Sequence, residues 1–266
     1  MPKPESITSA ANPLLKSLRR AIVRGELTSE GYAVAESFHL LEEALRSDCD
    51  VKLVLASVSV EAAVAKHIRG LNGIRLATVP DPLFQSIAGT ETTQGVIALV
   101  RPPEWSLQQL FRGRSLVVVL DGLQDPGNAG TIARAAEAFG ATGLLFLKGT
   151  VSPFNSKTLR ASAGSLFRIP FLSGLDAALA RAALQQNGVD LYAGVPGGAG
   201  PSLPIDEVDW TRKCGVIIGN EARGVSGEMR AAALDVSIPT VGVESLNAAV
   251  AAGILLYEAR RQRAVA

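Results

Sequence analysis

The stretch LVVVLDGLQDPGNAGTIARAAEAFGATGLLFL, residues 116–147, decides the fold of this chain. It opens with an apolar, β-branched run over Val117–Leu120, which predicts a strand buried on both faces. Asp121–Gly130 is rich in Gly, Pro, Asp and Asn and predicts a loop. An Ala-rich helix is predicted over Thr131–Phe139, and a second strand over Leu144–Leu147. This order of elements predicts a βαβ unit, and therefore an α/β fold with a parallel sheet.

The loop of this unit carries no familiar nucleotide fingerprint. Its sequence GNAGTIAR lacks the G-x-G-x-x-G order, and no Gly-Lys-Ser/Thr follows for a P-loop. A dinucleotide-dependent oxidoreductase would also end the next strand in an acidic residue, where this chain has Lys148. Two polar residues stand out instead, Asn128 in the loop and Arg134 in the helix. They either belong to a site or serve as a helix cap and an ion-paired surface residue.

Composition limits the classes of protein that this chain can belong to. With 266 residues, 47% hydrophobic and 19% charged, the chain is globular and has room for one large or two smaller domains. The net charge of +1 means that any contact with nucleic acid must come from local basic patches. Two cysteines and two isolated histidines predict neither a disulfide framework nor a metal site. The N-terminus lacks the apolar core of a signal peptide and no run is long enough to span a membrane, so we expect a cytoplasmic protein.

The first 100 residues predict a separate small domain. An amphipathic helix with a basic side begins it, carrying Lys16, Arg19 and Arg20. Alternating strand and helix patterns follow to residue 100 and predict an α/β/α sandwich. Consecutive prolines open the stretch 101–114, which we interpret as a linker to a second domain at 115–266.

The second domain contains two more junctions where polar residues follow a strand. A buried strand over Cys214–Ile218 leads into a turn with Glu221, and a last strand over Val236–Ile238 leads into Ser245 and Asn247. These two side chains either cap the following helix or belong to a site. That helix is apolar on nearly all sides at its start, which predicts that it is buried, in part against another subunit. The polar stretch 152–170 predicts either a surface helix or a phosphate-contacting loop.

Together, the three strand-to-loop junctions resemble the three motifs of the SpoU/TrmH branch of the SPOUT RNA methyltransferases. The first is LDGLQDPGNAGTIARAAEAFG, the second GVIIGNEARGVS, and the third VSIPTVGVESLNAAVAAGILLYE. The N-terminal half is similar, more weakly, to the RNA substrate-binding domain that such enzymes often carry. Where that domain often has a Glu-Gly pair, this chain has Glu36-Ser37.

The resemblance implies a methyltransferase that uses S-adenosylmethionine to modify a ribose 2′-hydroxyl of structured RNA, ribosomal RNA before tRNA. It also implies a homodimer and a deep trefoil knot in the C-terminal domain, although ordinary topology disfavours knots. A catalytically inactive RNA-binding homologue is the other reading. Carried over by position, the implied catalytic residues are Asn128, Arg134, Glu221, Ser245 and Asn247. The implied cofactor contacts are Leu147, Gly219, Ile238, Leu246 and Asn247. The implied RNA contacts are Lys16, Arg19, Arg20, Arg134, Lys157, Arg160 and Ser162.

The implied reaction suits these residue types. A ribose hydroxyl is a poor nucleophile, so the site must orient it and stabilise the oxygen as it loses its proton. A guanidinium has a pKa above about 12, which favours an electrostatic role for Arg134 over a role as general base. Glu221 either orients Arg134 or takes the proton through water, and the sequence does not separate these two roles.

Overall fold

The computed structural model describes residues 4–47, 49–90, 92–197 and 200–265. Its strands are β1 (Glu5–Ser6), β2 (Ala33–Glu36), β3 (Asp50–Ser57), β4 (Arg75–Val79), β5 (Val96–Arg101), β6 (Leu116–Asp121), β7 (Gly143–Leu147), β8 (Phe171–Leu175), β9 (Asp190–Val195), β10 (Leu203–Pro204), β11 (Cys214–Gly219) and β12 (Leu234–Ser237). Its α-helices are α1 (Pro13–Arg24), α2 (Phe38–Arg46), α3 (Glu61–His67), α4 (Asp81–Gln85), α5 (Leu107–Leu110), α6 (Pro126–Ala138), α7 (Ser156–Ser162), α8 (Ala177–Gln186), α9 (Gly227–Arg230) and α10 (Ala248–Val265).

The chain divides into two compact units. Unit 1 consists of the described residues up to Glu104 together with Phe154–Arg168. Unit 2 consists of Trp105–Pro153 together with the described residues from Ile169 onward. The chain therefore leaves unit 2 after β7, contributes a short segment to unit 1, and returns to form β8.

Unit 1 is built on a mixed sheet with the strand order β1-β4-β3-β5-β2. β4 is parallel to β1 and β3, whereas β5 is antiparallel to β3 and β2. The core combines sheet residues with the apolar side of α1, where Leu15 and Leu18 are fully buried. Strand β2 was not predicted, because Ala-Val-Ala-Glu is too short to show a pattern by itself. It forms because β5 provides an antiparallel neighbour.

The segment Phe154–Arg168 packs within unit 1 through helix α7. Arg160 forms an ion pair with Glu36 of β2 at 3.4 Å, and Arg168 pairs with Glu43 of α2 at 2.5 Å. The residue before α7, Asn155, lies close to the backbone at position 25. Only glycine fits there, since a Cβ would lie 2.9 Å from the side-chain nitrogen of Asn155. Of the two predictions for this stretch, the helix is therefore correct for Ser156–Ser162.

Unit 2 contains an all-parallel sheet with the strand order β10-β12-β9-β11-β6-β7-β8. The chain runs from β6 outward to β8 on one side and places β11, β9 and β12 on the other, so the order reverses between β6 and β11. Crevices at the carboxyl ends of strands at such a switch point are usual ligand sites in α/β sheets. Helix α5 falls inside the predicted linker, yet its Leu110 is buried in the core of this unit.

Arg263 fixes the C-terminal end of helix α10. The Arg263 guanidinium donates hydrogen bonds to the carbonyl oxygens of Trp210 at 2.7 Å and Arg212 at 2.6 Å. It also donates to the carbonyl oxygens of Arg114 at 2.7 Å and Ser115 at 3.1 Å. These carbonyls precede β6 and β11, so the helix is tied at the amino ends of the two central strands. No helix in the described ranges is long and apolar enough to cross a membrane.

Candidate active site

Strands β6 and β11 bring two of the sequence motifs together. The strands pair in parallel and end side by side, with Gly219 opposite Asp121. Helix α6 starts at Pro126, five residues before the predicted start, because the Asp125 carboxylate caps it by accepting the backbone N–H of Asn128 at 2.6 Å. Asn128 therefore lies in the first helical turn, and the prediction that placed it in the loop was wrong.

Glu221 holds the start of α6 in place. Its carboxylate accepts hydrogen bonds from the backbone N–H of Gln124 at 3.3 Å and of Asp125 at 3.2 Å. It also accepts one from the side-chain amide of Asn128 at 3.3 Å. Partial burial raises the pKa of Glu221, but these donors and its own backbone N–H together outweigh burial, so the pKa lies below its usual value. Glu221 is therefore ionised at neutral pH and acts here as a fixed acceptor.

Asn247 joins the third motif to the other two. Its side-chain nitrogen donates to Oδ1 of Asn128 at 3.1 Å. Its Oδ1 accepts the backbone N–H of Ala249 at 2.9 Å and of Val250 at 3.3 Å, so the residue also caps α10. Asn128 thus bridges Glu221 and Asn247. Three residues from three distant parts of the chain form one hydrogen-bonded group.

A cavity of about 610 Å³ lies beside this group, at the carboxyl ends of β9, β11 and β12. Four of the predicted cofactor residues line it: Gly219, Ile238, Leu246 and Asn247. Glu221 and Ser245, predicted as catalytic, line it too. Leu147 does not, because it ends the fully buried strand β7 and its side chain packs in the core of unit 2. We therefore leave Leu147 out of the cofactor site proposed below.

The lining of this cavity fits a nucleoside-like ligand. Gly219 lets the chain fold back onto the end of β11, since a Cβ there would lie 2.2 Å from the backbone of Gly224. Apolar side chains such as Ile218, Ile238 and Leu246 offer a surface for a flat ring, and Thr240 and Ser245 provide polar groups. The described residues contain no cluster of three or more His, Cys, Asp or Glu side chains that could hold a metal ion.

Arg134 lies apart from this cavity within a single chain. It is exposed on α6 and lines neither of the two cavities beside the motifs. Six residues separate it from Asn128, which corresponds to about 9 Å along the helix axis. Its guanidinium makes no hydrogen bond or ion pair with any residue that the structure describes. Of the predicted catalytic set, the structure joins Asn128, Glu221 and Asn247, adds Ser245 at the cavity, and leaves Arg134 on the surface.

A second, shallower groove runs between α6 and α10. It has a volume of about 530 Å³, and its floor includes Ala135, Phe139 and Gly253. Beside it, Val250 is 51%, Ile254 37% and Tyr257 56% exposed. Helix α10 was expected to be buried, in part against another subunit, and in the single chain this side of it is open to solvent.

The predicted RNA contacts differ in how far their side chains are exposed and paired. Lys16 and Arg20 are exposed on α1, and Arg19 donates a hydrogen bond to Ser86 at 2.7 Å. Lys157 is exposed at the start of α7, whereas Arg160 is tied to Glu36. Ser162 is fully buried and its hydroxyl donates to the carbonyl of Leu159 at 2.8 Å. Because it presents no surface to a ligand, Ser162 is left out of the RNA face proposed below.

Sequence reasoning missed two residues inside the motifs that it recognised. The Gln124 side-chain amide donates hydrogen bonds to the carbonyls of Gly149 and, at 3.3 Å, Gly122. Arg223 lines the cavity with an exposed side chain. The only signal in the sequence was their position within the motifs, since both roles depend on long-range neighbours.

Comparison with known proteins finds a family match for each half of the chain. The model of the SpoU rRNA Methylase family matches residues 115–257, and that of the MRM3-like substrate binding domain matches residues 12–98. The chain is 34% identical to the 23S rRNA (guanosine(2553)-2′-O)-methyltransferase RlmP of Bacillus subtilis, covering 96% of this chain and 99% of that protein.

Two crystal structures with bound AdoMet are similar over nearly the whole chain. An rRNA methyltransferase from Sinorhizobium meliloti superposes with a TM-score of 0.80 at 30% identity, covering 97% of both chains. The SpoU methyltransferase AviRb from Streptomyces viridochromogenes superposes with a TM-score of 0.83 at 25% identity, covering 96% of this chain and 100% of that one. With a family model matched across its three motifs and a relative aligned from end to end, this chain belongs to the SpoU rRNA methylase family.

Proposed function

We propose that this protein transfers a methyl group from S-adenosylmethionine to a ribose 2′-hydroxyl of ribosomal RNA. The observation that carries the proposal is the hydrogen-bonded group Asn128–Glu221–Asn247 at the rim of the cavity. It is supported by the names of the relatives, which include a 23S rRNA 2′-O-methyltransferase. A 23S target is accordingly favoured over tRNA.

The cavity is proposed as the cofactor site. Gly219 and the turn that follows it offer backbone groups, and Ile238 and Leu246 offer apolar contacts. When bound, the cofactor supplies an electrophilic methyl group on a sulfonium. The chain must then orient the ribose oxygen and stabilise the charge that develops on it.

Arg134 is proposed to stabilise the developing alkoxide, as a cation and not as a base. The lowered pKa of Glu221 supports a positioning role for that residue, since a weakly basic carboxylate already engaged by three neighbours is a poor proton acceptor. Asn128, Ser245 and Asn247 are proposed to orient the reacting groups.

A homodimer through the α6–α10 groove is part of this proposal. The exposed side chains of Val250, Ile254 and Tyr257 form an apolar surface of the kind that mediates subunit contacts. A two-fold contact there would set α6 of one copy against α10 of the other. This would give Arg134, which lies on the solvent side of α6, access to the cavity of the partner.

Unit 1 is proposed to bind the RNA. Residues 1–100 are proposed to form the substrate-binding domain, 101–114 the linker and 115–266 the catalytic domain, of which the segment Phe154–Arg168 packs within unit 1. The exposed cations Lys16 and Arg20 on α1, with Arg19 beside them and Lys157 and Arg160 on α7, would contact phosphates. Few aromatic residues, 5% of the chain, are available for base stacking, so phosphate contacts must dominate affinity.

The trefoil knot and the cytoplasmic location are also proposals. The knot is supported by the path of the chain in unit 2, where β12 lies beyond β9 while α10 returns to pack against α6 and β11. A cytoplasmic location is supported by the proposed ribosomal substrate and by Cys49 and Cys214, which form no disulfide.

The reaction can be tested with a labelled methyl donor. Purified protein, tritiated S-adenosylmethionine and unmodified 23S, 16S and tRNA transcripts are incubated separately, and the labelled RNA is then hydrolysed in alkali. A methylated 2′-oxygen cannot attack its own 3′-phosphate, so labelled sites resist cleavage. We expect alkali-resistant label in 23S rRNA. Label confined to tRNA, label that leaves alkali cleavage unchanged, or no label with any transcript would each contradict the proposal.

A further inference from the structure

The turn that follows β11 lies at the mouth of the cavity and is held in place by several hydrogen bonds. Asn220 and Gly224 exchange two backbone hydrogen bonds, of 2.9 and 2.8 Å, which close the turn. The Asn220 side chain accepts the backbone N–H of Ala222 and of Arg223, each at 3.0 Å, and donates to the carbonyl of Gly122 at 2.8 Å. The turn is thus fixed to the end of β6 as well as to β11.

Two charged side chains leave this turn with different surroundings. Glu221 reaches the start of α6 and is engaged there by Gln124, Asp125 and Asn128. Arg223 lines the cavity and is exposed. Across the described part of the chain, its guanidinium has neither a hydrogen-bond acceptor nor an acidic partner within ion-pair distance.

The other charges on the cavity do not neutralise Arg223. Arg230, the second cation in the lining, is held by Asp235 through a two-pronged ion pair whose Nε contacts are both 3.0 Å. Glu244 is exposed on the rim but forms no ion pair with any described residue. Among the described residues that line the cavity, Arg223 is therefore the cation that can take an anion, and the hydrogen bonds of the turn already hold its backbone in place.

We infer that Arg223 forms an anion subsite at the cavity mouth and binds a backbone phosphate of the RNA next to the ribose that is methylated. The inference rests on the proposed function. A 2′-hydroxyl shares its sugar with a 3′-phosphate, so a ribose brought to the cavity brings a phosphate with it. Guanidinium groups bind phosphates through two parallel hydrogen bonds, which fixes orientation as well as position. The other anion that could reach this cavity is the carboxylate of the cofactor, and the experiment separates the two sources.

The test compares R223Q and R223K with the native protein. Binding of an unmodified 23S rRNA transcript is measured over a salt series, and binding of S-adenosylmethionine is measured by calorimetry. The matched control is R112Q. Arg112 is also exposed and forms no hydrogen bond or ion pair with any described residue. It precedes β6 and so lies at the opposite end of the strands from the cavity.

We expect R223Q to weaken RNA binding about tenfold or more, as loss of a charged hydrogen bond does. The slope of log affinity against log salt should shrink by about 0.7–0.9, one phosphate contact. R223K should keep the native slope but recover affinity only in part, because an ammonium cannot bind in two-pronged fashion. R112Q and the cofactor affinity of all variants should match the native protein.

Two results would overturn the inference while leaving the proposed function intact. If R223Q weakens cofactor binding and leaves the RNA slope unchanged, the anion is the cofactor carboxylate. If neither affinity changes, Arg223 binds no ligand. If instead the native protein binds and methylates no rRNA transcript, the rRNA proposal itself fails and this inference fails with it.

Discussion

Asn247 donates a side-chain hydrogen bond to Asn128 across 119 residues of sequence, at 3.1 Å. This one bond connects the N-terminus of α10 with the N-terminus of α6. Since Asn128 also donates to Glu221, it is the point at which all three motifs meet. Substitutions around it separate structural from catalytic contributions.

The two hydrogen-bonding roles of Asn247 can be separated with two substitutions, one that removes the cap of α10 and one that keeps it. N247A removes both the cap of α10 and the bond to Asn128, and we expect it to lower the free energy of unfolding by about 1 kcal/mol. N247D keeps the cap, since Asp caps helices as well as Asn, but cannot donate to Asn128. We expect N247D to unfold like the native protein in a denaturant titration and to lose methyl transfer about tenfold. A fully active N247D would show that the bond to Asn128 has no part in the reaction.

R134A should abolish methyl transfer without affecting the cofactor site. Loss of a donor that stabilises developing charge costs about 10²–10³ in rate. Arg134 is proposed to act on the ribose oxygen and is not among the residues proposed to hold the cofactor, so cofactor affinity should not change. Tritium transfer to rRNA measured beside calorimetric cofactor binding checks this, with R112A as the control. Equal losses of rate and cofactor affinity in R134A would contradict the assignment.

The pH dependence of the reaction distinguishes the two roles of Glu221. Its lowered pKa keeps it ionised at and above neutrality, and any stability from its ionised form is present above its ordinary pKa and lost as the pH falls through the lowered value. We expect E221Q to be slower than the native enzyme with an unchanged profile shape from about pH 4, where a carboxylate base would titrate, up to about pH 9. An acidic limb that is present in the native profile and missing in E221Q would identify Glu221 as the base.

Ser37 occupies a backbone conformation that favours glycine. Its φ of 138° and ψ of 158° lie in a region that costs a side-chain-bearing residue about 1–3 kcal/mol. Its hydroxyl caps α2 by accepting the N–H of Leu40 at 3.1 Å, but replacing a Ser cap by Gly costs only a few tenths of a kcal/mol. We therefore expect S37G to stabilise unit 1 by about 1 kcal/mol in denaturant unfolding. S37A loses the cap and keeps the backbone strain, so it should destabilise the protein. An S37G variant less stable than the native protein would show that Ser37 is not strained.

Glu36 should make stability depend on pH in the opposite sense from Glu221. Burial raises its pKa, and Arg160 together with the backbone N–H of Gly89 only partly offsets this. A raised pKa contributes stability below the unfolded pKa of about 4.3 that is lost as the pH rises through the folded value. We expect the unfolding free energy of the native protein to fall over this window and that of E36Q to change less. Parallel pH profiles for the two proteins would exclude Glu36 as the source.

Much of the fold could be predicted from the sequence because its evidence is local. The apolar run Val117–Leu120 and the Ala-rich helix after it predict a βαβ unit, since the hydrophobic periodicity of buried strands and helices can be read from neighbouring residues. The three motifs were also sufficient to identify the family. Short strands such as β2 and β8 were not predicted, because four or five residues carry little sequence pattern and these strands depend on pairing with a neighbour.

The sequence by itself determined the family and the candidate residues of its three motifs, and the tertiary structure decided which of those residues meet. Asn128, Glu221 and Asn247 come together because parallel strands end at one edge of the sheet, a relationship without any trace in sequence distance. Burial likewise separated Ser162 from Lys157. Pairing separated Arg160, with its partner Glu36, from Arg223, which pairs with no residue that the structure describes. Residue type sets what a side chain can do, but solvent access and charged neighbours are properties of the folded chain.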